Sequence, residues 1–164
     1  PASSAVQAAM TGHTIFSTLH TNDAAGTIGR LFDMGVEPFL LGSVLGGVLA
    51  QRLAKRICRH CRTPATAAPA ALAALGPDLA DAQFWRGAGC AKCHGTGYAG
   101  RIALHEFLMV NEAVAALILR HADTAEIAAA ARAGGMRPLR EDALAKARAG
   151  LTTLEEALRV TAGE

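Results

Sequence analysis

Gly12-His13-Thr14-Ile15-Phe16-Ser17-Thr18-Leu19-His20-Thr21-Asn22-Asp23 is the stretch on which the fold class turns. Its middle, residues 14–20, is short, rich in β-branched side chains and bounded by Gly12 and Asn22-Asp23. That is the composition of a strand buried on both faces in a parallel sheet. Asn22 or Asp23 then caps a helix that carries Ala24, Ile28, Leu31 and Phe32 at helical spacing and is closed by Gly35. A second helix is expected from Glu37-Pro38, with proline in its first turn. Leu41, Leu45, Val48 and Leu49 form its apolar side, with Phe39 and Leu53 near its ends. Strand, helix, helix in that order reads as an α/β fold.

Further along, Thr63 to Ala82 is rich in alanine and proline with little periodicity. It reads as a loop holding one short helix over residues 70–75. Gly95 to Gly100 is turn-forming, and Arg101 to Val110 reads as a strand. Helices are expected after Asn111, with Val114, Leu117 and Ile118 inward, after Asp123 or Thr124, and over residues 139–149, closed by Gly150. Thr152-Thr153-Leu154-Glu155-Glu156 offers a capping box for a last helix. The expected organisation is therefore 1–57, the tail of an α/β core; 58–100, a cysteine-bearing subdomain; and 101–164, a strand with a helical subdomain.

The 164 residues carry 16 Lys and Arg against 14 Asp and Glu, a net charge of +2. That balance argues against a nucleic-acid footprint or a polybasic membrane anchor. Apolar residues reach 51%, which excludes a disordered chain, yet aromatics are only 4%. Much of the apolar content is alanine, which favours helix and packs in thin layers. The longest apolar run, Phe39 to Ala50, falls short of the roughly 20 residues a spanning helix needs. The start, PASSAVQAAM, has neither the basic region nor the apolar run of a signal peptide, and it lacks an initiator Met. It reads as a piece of a longer protein.

The four cysteines form two pairs, Cys58-Arg59-His60-Cys61 and Cys90-Ala91-Lys92-Cys93. Two residues between thiolates let both sulfurs of one turn face a common point, and two such turns complete a tetrahedron around zinc. With no export signal, one structural zinc is the expectation. A redox dithiol or unligated core cysteines are the alternatives. The spacer, residues 62–89, is longer than in a zinc ribbon and needs an inserted loop or helix. His60 and His94 adjoin ligand positions and are read as exposed neighbours. Four cysteines close the shell, so a catalytic zinc with an open position is disfavoured.

In the histidine stretch, a strand ending in His-Thr-Asn-Asp would set polar groups at the carboxyl edge, where parallel sheets bind ligands. His20 can donate to a phosphate or orient a water, and Thr18 and Thr21 supply hydroxyls. A histidine and a helix cap finishing an ordinary strand is the plain alternative. No GxxxxGK[ST] occurs in the chain, nor GxSxG, HExxH or an EF-hand loop. These residues by themselves are therefore expected neither to bind ATP usefully nor to hydrolyse it.

Met10 to His13 and Ser17 to Ala24 resemble the histidine box of the secretion ATPase family, the type II secretion (GspE) and type IV pilus assembly and retraction motors. The likeness continues through Arg30 to Leu40, Leu49 to Leu53, Cys90 to Cys93, Gly95 to Arg101, Gly135 to Asp142 and Thr152 to Glu156. The paired cysteines favour the GspE or pilus-assembly branch. The resemblance implies the C-terminal part of a RecA-like motor domain with a small zinc-binding subdomain and a C-terminal helical subdomain. By the same carry-over, His20 and His13 are catalytic, with His20 nearer the γ-phosphate. Thr18, Thr21, Arg30 and Arg52 belong to nucleotide binding, and Cys58, Cys61, Cys90 and Cys93 hold zinc. It implies ATP and magnesium in the full-length protein and a homo-hexamer at the cytoplasmic face of the inner membrane. The implied partners are platform and adapter proteins, with no nucleic acid. The alternative is a zinc-stabilised interaction module without catalysis. Cys90 to Gly97 satisfies the CxxCxGxG repeat of DnaJ-type chaperones, although the first cysteine pair does not.

Overall fold

The structure, a computed structural model, describes residues 2–67 and 82–162. The short helix expected over residues 70–75 lies outside them. The residues group into two compact units, 1–50 with 106–138 and 51–105 with 139–164. Each unit is thus built from two separated stretches of chain, where the sequence suggests three consecutive segments. The reason is local. Strands β1 (Gly47–Ile57) and β4 (Tyr98–Met109) pair with each other, and two of the three unit boundaries fall inside them, the third lying between Pro138 and Leu139.

In the first unit, α1 (Ala2–Met10), α2 (Ala24–Asp33) and α3 (Pro38–Val44) precede the start of β1. The end of β4 leads into α4 (Glu112–Leu119) and α5 (Thr124–Ala133). Asp23 caps α2 by accepting from the Gly26 amide, and Asn111 and Asp123 cap α4 and α5 in the same way. Gly35, at φ +80°, closes α2 as the sequence suggests, with its amide bonded to the Phe32 carbonyl. Ile28, Leu41, Leu108, Val114, Ile118 and Ile127 form the core, all within 1–2% exposure or fully buried.

The second unit holds the rest of β1 and β4, the hairpin β2 (Arg62–Ala65) and β3 (Phe84–Gly87), and α6 (Leu139–Arg148) and α7 (Leu154–Val160). β2 and β3 are antiparallel, with Arg62 opposite Gly87 and Ala65 opposite Phe84. Ala54, Phe84, Leu104, Leu139, Ala143, Ala147, Leu154 and Ala157 are buried here. No described helix is long and apolar enough to cross a membrane.

Two expectations are corrected. Residues 13–21 form neither strand nor helix, and Phe16 is 93% exposed. A strand is completed by hydrogen bonds to a neighbour, and among the described residues this stretch has no ladder partner. The second helix stops at Val44, and Gly47–Ile57 is a strand instead. The helical spacing of Leu45, Val48 and Leu49 coexists with an alternation in which Val48, Ala50, Arg52 and Ala54 turn inward and Leu49, Gln51 and Leu53 outward. Pairing with β4 selects the alternation. A Cβ at Gly47 would lie 3.0 Å from the Leu108 carbonyl, so the close approach of the strands requires glycine there. The two ends match: Val110 N donates to Gly46 O at 3.1 Å, and Cys58 N donates to Gly97 O at 2.9 Å. The ribbon is antiparallel.

Candidate metal centre and histidine corner

Cys58 follows directly on β1, and Cys61 closes a turn whose amide bonds back to the Cys58 carbonyl at 3.3 Å. Cys90 opens a single 3₁₀ turn, Ala91–Cys93, which ends at His94 in the left-handed region (φ 52°). The two turns are held together by backbone: Cys58 N bonds Gly97 O, and Ala88 N bonds Cys61 O at 2.8 Å. Gly87 and Gly97 make this approach possible, since a Cβ on Gly87 would lie 2.0 Å from the Gly97 carbonyl oxygen.

The result is a compact cluster in which all four sulfurs lie within 4.8 Å of one another. Cys58 and Cys90 are 3.9 Å apart, Cys61 and Cys93 3.8 Å, and Cys90 and Cys93 3.7 Å. A tetrahedron with zinc–sulfur bonds of about 2.3 Å has edges of about 3.8 Å. The separations therefore fit a four-thiolate metal site and far exceed a disulfide bond. Amides point at the sulfur that is most buried in this loop: Cys90 N and Gly97 N donate to Cys93 Sγ at 3.2 and 3.3 Å. Burial pushes the Cys93 thiol up, but those amides and the neighbouring thiols of Cys90 and Cys61 outweigh it and bring it down to about 6. Burial pushes Cys61 up to about 12, against the Gly89 amide, with the other three thiols adding to the rise. Thiols this close cannot all ionise unless a cation takes the place of their protons. Neither His60 nor His94 joins the group, and both are exposed.

The histidine stretch presents a different picture. His13 is exposed, with Nδ1 3.0 Å from Thr11 Oγ1. His20 and Thr18 are exposed, and no described residue hydrogen-bonds to either. Thr21 Oγ1 lies 2.7 Å from Thr27 Oγ1, which fastens the corner between the stretch and α2. Arg30 is exposed on α2, and Arg52 is half-buried on β1 in the unit that holds the cysteines. The structure thus brings the four cysteines together and leaves both histidines exposed.

A family model described as "Type II/IV secretion system protein" matches residues 1–159. The chain belongs to the type II/IV secretion system protein family. Among its relatives is the "Type IV pilus assembly ATPase PilB" of Thermus thermophilus, 48% identical over 160 residues, covering 96% of this chain and 18% of the relative. "Type II secretion system protein E" of Aeromonas hydrophila is 47% identical over 159 residues, covering 96% of this chain and 31% of that protein. The chain therefore spans less than a third of either. Its α/β fold is similar to the pilus retraction motor PilT with bound ADP (TM-score 0.63, 23% identity, 98% of this chain and 36% of that one). It is also similar to the Legionella pneumophila ATPase DotB (TM-score 0.62, 21% identity, 99% and 36%).

The long-range bonds of three acidic groups of this secretion-family chain escape a reading of the sequence. Glu106 on β4 is 5% exposed and accepts from the Ala24 amide at 2.8 Å. Asp142 on α6 accepts from the His105 amide at 2.9 Å and pairs with Lys146, which also donates to the Ala103 carbonyl. Glu156 leaves its capping box half-made. Thr153 Oγ1 accepts from Glu156 N, but the carboxylate turns to Arg159 and to the Lys55 amide on β1. Glu106 had a signal in the sequence: it sits between Leu104 and Leu108 at the inward parity of a strand, where an acid is out of place.

Proposed function

We propose that the chain is the C-terminal part of a RecA-like secretion motor that uses ATP and magnesium to drive type II secretion or pilus assembly. The observation that carries this reading is the family match over residues 1–159. The names of relatives sharing 47–48% of their residues over 96% of the chain agree with it. Within the motor, His20 faces the γ-phosphate from the corner that precedes α2, with Thr18, Thr21, Arg30 and Arg52 contributing to nucleotide binding and His13 serving the adjoining packing or subunit contact. The parent works as a homo-hexamer at the cytoplasmic side of the inner membrane, against platform and adapter proteins. These 164 residues contain no phosphate loop, so without the rest of the motor they bind magnesium-ATP weakly and do not hydrolyse it.

Cys58, Cys61, Cys90 and Cys93 would hold one zinc ion. Its role is structural, because four thiolates leave no position for a reacting water. Bound there, it fastens the turn after β1 to the 3₁₀ turn before β4.

The test is turnover of the full-length motor. Loss of one positioned donor in a phosphoryl-transfer site typically costs on the order of 10²-fold. His20→Ala should lower ATPase activity by about that factor with folding and zinc content unchanged, and His13→Ala should have a smaller effect. Full activity in His20→Ala would refute the nucleotide-facing role.

A further inference from the structure

Glu106 is a carboxylate on an inward strand face, 5% exposed between two fully buried leucines, Leu104 and Leu108. An apolar side chain would fill the same place without desolvating a charge. What the carboxylate adds is direction. Its Oε1 accepts at 2.8 Å from the amide of Ala24, the first residue of α2, whose N–H has no acceptor within the helix. A negative group there also opposes the positive end of the helix dipole.

Three further bonds at this corner are short-range. Asp23 Oδ1 accepts from Gly26 N at 2.5 Å, Thr27 Oγ1 donates to Asp23 O at 3.1 Å, and Thr21 and Thr27 share a hydroxyl bond. Those contacts tie the corner to its own helix and would travel with it. The Glu106 bond joins residues 82 positions apart, from a different element. Four residues before Ala24 stands His20, exposed and outside any helix or strand. Its backbone runs directly into the corner that the Glu106 bond holds.

We propose that Glu106 is a positioning residue, which fixes the start of α2 to β4 and so sets the place of His20. Its effect on turnover rests on the nucleotide-facing reading of His20; its effect on the corner does not.

The experiment uses the full-length motor with Glu106→Gln, Glu106→Met, His20→Ala and the double variant His20→Ala/Glu106→Met. Amide hydrogen exchange is followed across residues 18–25, and steady-state kcat and KM for magnesium-ATP are measured. Glutamine keeps an acceptor for the Ala24 amide, whereas methionine fills the space and offers none. With Met, exchange at the Ala24 amide should rise about tenfold, the scale of one hydrogen bond to a charged group. Turnover should fall by a similar factor of about ten, with KM within about twofold. Gln should restore both to near the parent values, and the double variant should be no slower than His20→Ala alone. Unchanged exchange across residues 18–25 with Met, exchange as fast with Gln as with Met, or losses that multiply in the double variant would each overturn the proposal. If Met does not fold, fast exchange in the Gln variant overturns it and slow exchange supports it. Full activity in His20→Ala would overturn the histidine reading alone, and the exchange result would still decide the role of Glu106.

Discussion

Glu156→Met tests how much a buried carboxylate contributes to fastening the last helix to the ribbon, beside the bonds from Thr152 to Lys55 and from Ile57 to Leu151. The side chain is 5% exposed, while its partner Arg159 is 62% exposed. Its Oε1 accepts from Lys55 N at 2.9 Å and from Arg159 Nη2 at 2.7 Å, and Oε2 accepts from Arg159 Nε at 2.7 Å. Methionine leaves the Lys55 amide without that acceptor, at a cost of about 1–3 kcal/mol. The arginine pair, on the solvent side, adds less than about 1 kcal/mol. The expected loss is therefore about 2–3 kcal/mol at neutral pH, and Glu156→Gln, which keeps an acceptor, should lose about 1 kcal/mol. The Arg159 bonds, followed by those of Lys55 and opposed by burial, hold the Glu156 carboxyl below its ordinary value of 4.5. A depressed carboxyl stabilises the fold above its unfolded pKa, and that stabilisation is lost as pH falls through the folded value. The parent and Glu156→Gln should thus differ at pH 7 and converge as the pH falls below 4.5 and through the folded value. Urea denaturation followed by the fluorescence of the single Trp, Trp85, reads the difference in the unit concerned. Any effect of acid on the cysteine cluster is common to both proteins, so the difference between them is the quantity to follow. A Glu156→Met variant as stable as the parent, or a Gln deficit that persists unchanged into acid, would refute the assignment.

Two further expectations follow from the cysteine cluster. The purified protein should carry about one zinc per chain by elemental analysis, and Cys90→Ser should lose most of it and speed amide exchange from Ile57 to Arg101; four freely titrating thiols in a metal-free native protein would contradict this. Gly87→Ala, which sets a Cβ against the Gly97 carbonyl, should weaken zinc by about ten- to a hundredfold in a chelator competition without touching a ligand; parent-like affinity would show that the two turns do not depend on that close approach.

The sequence by itself determined whatever depends on near neighbours along the chain. The caps and the stop at Gly35 are local hydrogen-bonding choices: Asn111 and Thr153 cap where the residues place them, and of the pairs Asn22 or Asp23 and Asp123 or Thr124 the structure takes Asp23 and Asp123. The doubled CxxC was equally legible, because two-residue spacing dictates where each pair of sulfurs points. Tertiary structure alone decided what needs a partner from far away. Residues 45–53 satisfy helical and alternating spacing at once, and only β4 settles the choice. Residues 14–20 have strand composition but no neighbour to pair with among the described residues. Glu156 stands in a capping box and spends its carboxylate on an amide 101 positions away. Glu106 reaches 82 positions to the first turn of α2. A hydrogen bond between distant elements leaves no periodicity in the chain, since its geometry exists only once both elements are packed.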